Sequence, residues 1–158
     1  MIHLQFDKIS EKDINQIMDV ERASFSRPWN RDAFSSELLC RHASIIIAKH
    51  KWNGNQPNII AYLCSRIFES ELHILKVAVS RTWRRKGIAS RMLDHYLNEA
   101  SGQQIKKAFL EVRCSNIPAI ALYKKRGFKS IGKRPDYYSN SDGNEDAILM
   151  MKYLKEAI

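Results

Sequence analysis

Apolar residues along this chain change their spacing several times, and each change marks an element. Ile2, Leu4 and Phe6 alternate with polar neighbours as in a short strand, Ile2 to Phe6. After Ser10 come Ile14, Ile17, Met18 and Glu21, three or four apart, which is a helical stripe; Asp13 stands where a capping box places its acid. A second short helix is predicted from Asn30, with Ala33, Phe34 and Leu38 on it and Pro28-Trp29 in the connection. Three runs rich in β-branched and aromatic residues then read as strands: Ala43 to Lys49, Ile59 to Phe68 and Leu72 to Val79. Asn53-Gly54-Asn55 and Glu69-Ser70-Glu71 separate them.

The helical period returns at Ile88, Met92, Leu93, Tyr96 and Leu97 and predicts a helix over 87–101 that Gly102 ends. Ala108 to Arg113 reads as a strand. Asn116 caps a further helix with Pro118 in its first turn, and Gly127 stops it. Phe128 to Lys133 and Ala147 to Tyr153 complete the strands, joined by a polar loop that contains Tyr137, Tyr138 and Asp142-Gly143. The order β-α-α-β-β-β-α-β-α-β-β predicts an α/β fold: a mixed sheet with helices on both faces, in one domain spanning 1–158.

One junction carries chemistry. Arg84-Arg85-Lys86-Gly87-Ile88-Ala89 lies between the apolar run Ile74 to Val79 and the helix that follows. The first N–H groups of a helix have no carbonyl partner and carry the positive end of its dipole, so a phosphate docks there. Gly87 lets the backbone come close, Ala89 keeps the first turn open, and Arg84, Arg85 and Lys86 add cationic charge. The alternative is a solvated basic helix start. A dinucleotide-binding loop would need three glycines, and only one is present.

The 158 residues are 44% hydrophobic and 27% charged, ordinary for a globular protein, with no membrane span and no signal peptide or anchor expected. Cys40, Cys64 and Cys114 are odd in number and form no metal-ligand spacing, which suits a reducing cytoplasm and no metal. The net charge of +9 is concentrated: residues 81–134 alone carry +11. Their partner is expected to be anionic, either nucleic acid or a polyphosphate such as coenzyme A. No RNP-like sequence, GXXG loop or zinc finger supports nucleic acid.

With those elements placed, the chain resembles the GNAT superfamily of acyl-CoA-dependent N-acetyltransferases, whose phosphate loop reads Q/R-x-x-G-x-G/A; Arg84, Gly87 and Ala89 fit it. Leu110-Glu111-Val112-Arg113, Ser115-Asn116, Ala121-Leu122-Tyr123 and Gly127-Phe128 resemble the RimI-type branch, which acetylates the N-terminal alanine of a small-subunit ribosomal protein. Phe25-Ser26-Arg27-Pro28-Trp29 and Tyr137-Tyr138 through Asp142-Gly143-Asn144-Glu145-Asp146-Ala147 agree as well. Two residues depart: Lys76 stands where the branch often has Asn, and Ala89 where many members have a second Gly. The resemblance implies a mixed, mostly antiparallel sheet, acetyl-CoA as cosubstrate, a ribosomal-protein N-terminal peptide as acceptor, and no direct role for nucleic acid or membrane. Polyamines and other protein N-termini are the alternative acceptors, and a non-catalytic RNA- or ribosome-binding module is the alternative of another class.

Making an amide from a thioester needs a neutral amine, a stabilised oxyanion and a proton for the leaving thiolate. Glu111, in the apolar run Phe109-Leu110-Glu111-Val112, is expected to be desolvated and to act as base, directly or through a water; the alternative is pairing with Arg113 or a lysine. The resemblance makes Tyr123 the general acid and a donor-binding residue, the alternative being a core tyrosine spaced from Ala119. It gives Asn116 to the pantetheine arm, and to the same arm the backbone of Val77, Ala78 and Val79, while Arg84 to Ala89, including Ile88, take the diphosphate. Tyr137 and Tyr138 are expected either to wall the acceptor groove or to cover the sheet edge. Glu21 is expected to be a solvated helix residue unless it meets an ammonium group, and Cys114 is a remote candidate for an acyl carrier.

Overall fold

The computed structural model describes residues 2–52, 54–140 and 143–155, with the backbone alone at Asn140. Asn53 and Asp142, two of the expected turn residues, lie outside the described residues. The elements run β1 (Leu4–Lys8), α1 (Ile14–Ser24), α2 (Arg31–Leu39), β2 (Ala43–His50), β3 (Asn58–Phe68), β4 (Glu71–Val79), α3 (Ile88–Gly102), β5 (Lys107–Arg113), α4 (Ile117–Lys125), β6 (Lys129–Asn140) and β7 (Gly143–Tyr153). Two single turns of 3-10 helix, Glu11–Asp13 and Arg81–Trp83, precede α1 and α3.

The chain forms two compact units. The first is built from the residues up to Arg66 together with Leu75–Tyr96, the second from Ile67–Ile74 and the residues from Leu97 on. Among the described residues the strand order is β1-β2-β3 and the Leu75–Val79 part of β4 in the first, and the Glu71–Ile74 part of β4, then β5-β7-β6, in the second.

In the first unit β1 and β3 flank β2 antiparallel, and the Ile45-Ile46-Ile47 run of β2 is buried. A core of Ile14, Ile17, Val20, Phe34, Ile45, Ile47, Ile59, Tyr62, Cys64 and Ala78 shows why α1 keeps its helical period: its apolar stripe packs on the sheet. Asp13 accepts from the Ser10 N–H at 2.9 Å and from the Ser10 hydroxyl, closing the expected start. Asn30 caps α2 by accepting from the Ala33 N–H at 2.9 Å.

In the second unit β5 runs parallel to β4 over Glu71↔Lys107 to Ile74↔Leu110 and antiparallel to β7 over its whole length. Ala108, Leu110 and Val112 are buried and Phe109, Glu111 and Arg113 half-buried, so the strand sends its one acidic side chain to the more open face. Asn116 caps α4 by accepting from the Ala119 N–H at 3.3 Å, and Gly127, at φ 86°, takes the left-handed turn that ends it.

Two expectations are corrected. Gly102 is the last residue of α3 and does not terminate it; Gln104 takes the left-handed conformation, φ 63°, and the Ile105 N–H closes the end on the Ala100 carbonyl at 3.3 Å. Tyr137 and Tyr138 are not in a loop. β6 continues to Asn140 across an irregularity between Arg134 and Tyr138, where Asp136 adopts φ 54°, and Tyr138 pairs with Glu145 of β7. Pro135 and Asp136 break the side-chain alternation without ending the ladder, because a bulge absorbs them.

Candidate active site

In the first unit, β4 passes through the Arg81–Trp83 turn into α3. Arg85 at φ 60° and Gly87 at φ 73° are both left-handed, so the chain curls before the helix starts. The first bond into α3 is donated by the Arg91 N–H to the Gly87 carbonyl at 3.0 Å; among the described residues no backbone acceptor faces the N–H groups of residues 85–90. A Cβ on Gly87 would meet nothing within 4 Å, so the backbone angle is what calls for glycine, and the space beside it is open. Arg84 is occupied by β4 and α1: its Nε donates to the Val79 carbonyl at 3.0 Å and its guanidinium reaches Ser24 Oγ at 3.3 Å. Arg85 and Lys86 are exposed, with Lys86 Nζ 5.6 Å from the centre of the Trp83 ring. Unpaired donors, a helix dipole and free cations make a seat for phosphate, and the chain's residues fit a diphosphate there.

Val77 and Val79 are half-buried on β4, and Ala78 is buried in the core. Beside them lies a cluster that sequence reading did not assemble. Glu21 is fully buried and accepts from the Trp29 N–H at 2.9 Å, from the Tyr62 hydroxyl and from Lys76 Nζ. Lys76 Nζ also lies 4.4 Å from the centres of both the Phe25 and Trp29 rings. The expectation of a solvated Glu21 is therefore overturned: a carboxylate at no exposure needs its donors, and Lys76 is the one with charge. Burial first, and then the bond to Glu21, push the Tyr62 phenol far up. The neighbouring Cys64 thiol is pushed up to about 12 by burial and the Glu37 charge, which makes it inert.

In the second unit Glu111 is paired with Arg134, Nε to Oε1 at 3.3 Å, its side chain 27% exposed. The partner is neither Arg113 nor a lysine, and the desolvation expected of this carboxylate is only partial. Tyr123 on α4 is 8% exposed and stands edge-on to Phe128, ring centres 5.9 Å apart. Its hydroxyl makes no hydrogen bond among the described residues, and burial, helped by Tyr138, pushes its pKa up to about 12. The Tyr138 hydroxyl donates to the Glu111 carbonyl at 3.3 Å under the Arg113 guanidinium, 4.3 Å from its ring centre. Burial and the Glu111 charge push its phenol up to about 12 as well. Tyr137 is 49% exposed. Asn116 spends its carbonyl oxygen on the α4 cap, which leaves its amide N–H groups for a ligand. Cys114 is exposed, its thiol 3.5 Å from Glu145, with no histidine paired to it.

Residues 14–128 match the acetyltransferase (GNAT) family. The chain belongs to this family. GNAT enzymes use acetyl-CoA, and this one is an acetyl-CoA-dependent N-acetyltransferase with the GNAT fold. It is 30% identical over 138 residues to the "[Ribosomal protein bS18]-alanine N-acetyltransferase" of Escherichia coli K12, spanning 87% of this chain and 89% of that one. It is 42% identical over 83 residues to an N-alpha-acetyltransferase of Saccharolobus solfataricus, spanning 52% of this chain and 48% of that one. The crystal structure of the Escherichia coli ribosomal-protein-S18-alanine N-acetyltransferase superposes with a TM-score of 0.88 at 26% identity, covering 99% of this chain and 97% of that one. Among the described residues no helix is long and apolar enough to cross a membrane, and no three His, Cys, Asp or Glu are placed to hold a metal ion.

The Arg84–Ala89 turn lies between β4 and α3, Asn116 at the start of α4 and Tyr123 on α4, the elements on which the sequence places them. The Lys76–Glu21 cluster and the Arg134 partner of Glu111 were missed. The available signal was a glutamate inside the apolar stripe of α1, a position a solvated residue would not share with Ile14 and Ile17.

Proposed function

We propose that this GNAT enzyme moves the acetyl group of acetyl-CoA onto the α-amine of an N-terminal alanine in a small-subunit ribosomal protein. The 30% identity to the Escherichia coli bS18-alanine N-acetyltransferase across 87% of the chain carries this reading. The open N–H groups of residues 85–90, with Arg85 and Lys86, hold the diphosphate. The backbone of Val77, Ala78 and Val79 and the amide of Asn116 hold the pantetheine arm, and Ile88 and Ala89 shape the first turn beside it. Glu111 takes the proton from the acceptor amine, directly or through a water, and Tyr123 protonates the departing thiolate. Tyr137 and Tyr138 line the way in for the acceptor.

The chemistry favours an α-amine. Such a group has a pKa of about 7.7–8.0 against about 10.4 for lysine, so near neutral pH a useful fraction is already nucleophilic, and the work left to the base is to take the proton the nitrogen sheds as the amide forms. Tyr123, pushed up to about 12, keeps its proton at every physiological pH. Both proposed catalytic residues are on the second unit.

The similarity to an N-alpha-acetyltransferase supports a second reading, in which other protein N-termini are the acceptors. Incubation with acetyl-CoA and peptides that differ only in their first residues separates the two. A marked preference for the alanine-initiated ribosomal sequence supports the first reading; equal rates on polyamines overturn both.

A further inference from the structure

The hairpin between β2 and β3 and the turn before α3 bring three rings together in the first unit. The His50 ring centre is 4.6 Å from that of Trp83 and 6.2 Å from that of Trp52, and Trp52 is 65% exposed. His50 Nδ1 donates to the His3 carbonyl at 3.1 Å, which leaves Nε2 as an acceptor; it is buried with no partner among the described residues. A hollow of about 280 Å³ opens on the same hairpin, lined by His3, Gln5, Lys49, Lys51, Gly54 and Pro57.

The two chain segments that carry these rings are basic. Neither 38–68 nor 72–93 contains an aspartate or glutamate. Lys51, Arg81, Arg85 and Lys86 are exposed and form no ion pair among the described residues, whereas Lys49, Arg66 and Lys76 have theirs in Asp7, Glu37 and Glu21. Trp52 is exposed and His50 and Trp83 are half-buried beside it, so an aromatic face stands next to free cations, which is what a single-stranded nucleic acid needs: a base stacks on the ring, and the cations follow the phosphates. An acidic peptide would use the cations and leave the Trp52 face in water.

We infer that the Trp52–His50–Trp83 rings with Lys51 and Arg81 form a docking platform for single-stranded RNA, separate from the residues that perform acetyl transfer. Resting on the ribosomal-acceptor reading above, the partner is an RNA segment flanking the acceptor, so the platform raises the enzyme's hold on a ribonucleoprotein substrate and leaves free peptides unaffected.

The test is fluorescence anisotropy of a labelled oligoadenylate of about 12 nucleotides, within the 4–16 that such folds cover, on the full chain at two salt concentrations. Binding should weaken with salt, and Trp52→Ala should weaken it about fivefold to 150-fold, the range for loss of one stacked base. Lys51→Glu should weaken it too. Both variants should acetylate a free peptide at the wild-type rate, a readout that fails only with the acetyl-transfer reading. Saturating coenzyme A should leave RNA affinity within about threefold. Wild-type affinity in Trp52→Ala, equal binding of polyglutamate, or full displacement of RNA by coenzyme A would each overturn the platform.

Discussion

Arg134 Nε on β6 lies 3.3 Å from Glu111 Oε1 on β5, so the proposed base is held by a cation from a strand that it does not pair with. With side chains 53% and 27% exposed the pair is screened, and it contributes about 0–1 kcal/mol to stability. Its importance is positional. Arg134→Ala is expected to move Tm little and to lower kcat, because the carboxylate loses the contact that aims it. Glu111→Gln, which keeps the shape but removes the base, should lower kcat about 10²–10⁴-fold with coenzyme A affinity unchanged. Steady-state kinetics beside calorimetric titration of coenzyme A checks both variants.

Tyr123→Phe removes one oxygen whose hydroxyl bonds nothing among the described residues, so packing against Phe128 survives and Tm should hold near neutral pH. The expected loss is in kcat, with KM for acetyl-CoA nearly unchanged.

The same residue predicts a pH dependence. An unfolded tyrosine ionises near pH 10, while folded Tyr123 keeps its proton until about 12. Its contribution to stability is full below about pH 10 and is lost as pH rises toward 12, at about 1.4 kcal/mol per unit, because only the unfolded chain releases the proton there. Melting curves between pH 9 and 12 should fall less steeply for Tyr123→Phe than for wild type.

Lys76→Met leaves Glu21 buried with its charge uncompensated, and such a break costs about 3–5 kcal/mol. Glu21→Gln with Lys76→Met in one chain should cost less than the two single changes together. Chemical denaturation of the four proteins measures that coupling.

Most of the fold was readable because each element repeats its own period: α1 on Ile14, Ile17 and Val20, β2 on its isoleucine run, β5 on Ala108, Leu110 and Val112. Caps at Asn30 and Asn116 are local and were found for that reason. What escaped depends on residues far apart in sequence or on a local exception. Glu21 meets Tyr62 41 residues on and Lys76 55 residues on, and no window along the chain contains both. The Pro135-Asp136 bulge hid the second half of β6, so Tyr137 and Tyr138 read as a loop. The turn that opens α3 was legible because Gly87 and its basic neighbours are consecutive residues.

The central claim is that an α-amine on alanine receives the acetyl group. Mass spectrometry after incubation with acetyl-CoA and a ribosomal peptide containing both an N-terminal alanine and an internal lysine tests it most directly. One acetyl group is expected, on the terminal nitrogen, and none on a peptide whose N-terminus is blocked; acetylation of the lysine alone, or of neither nitrogen, would overturn the assignment.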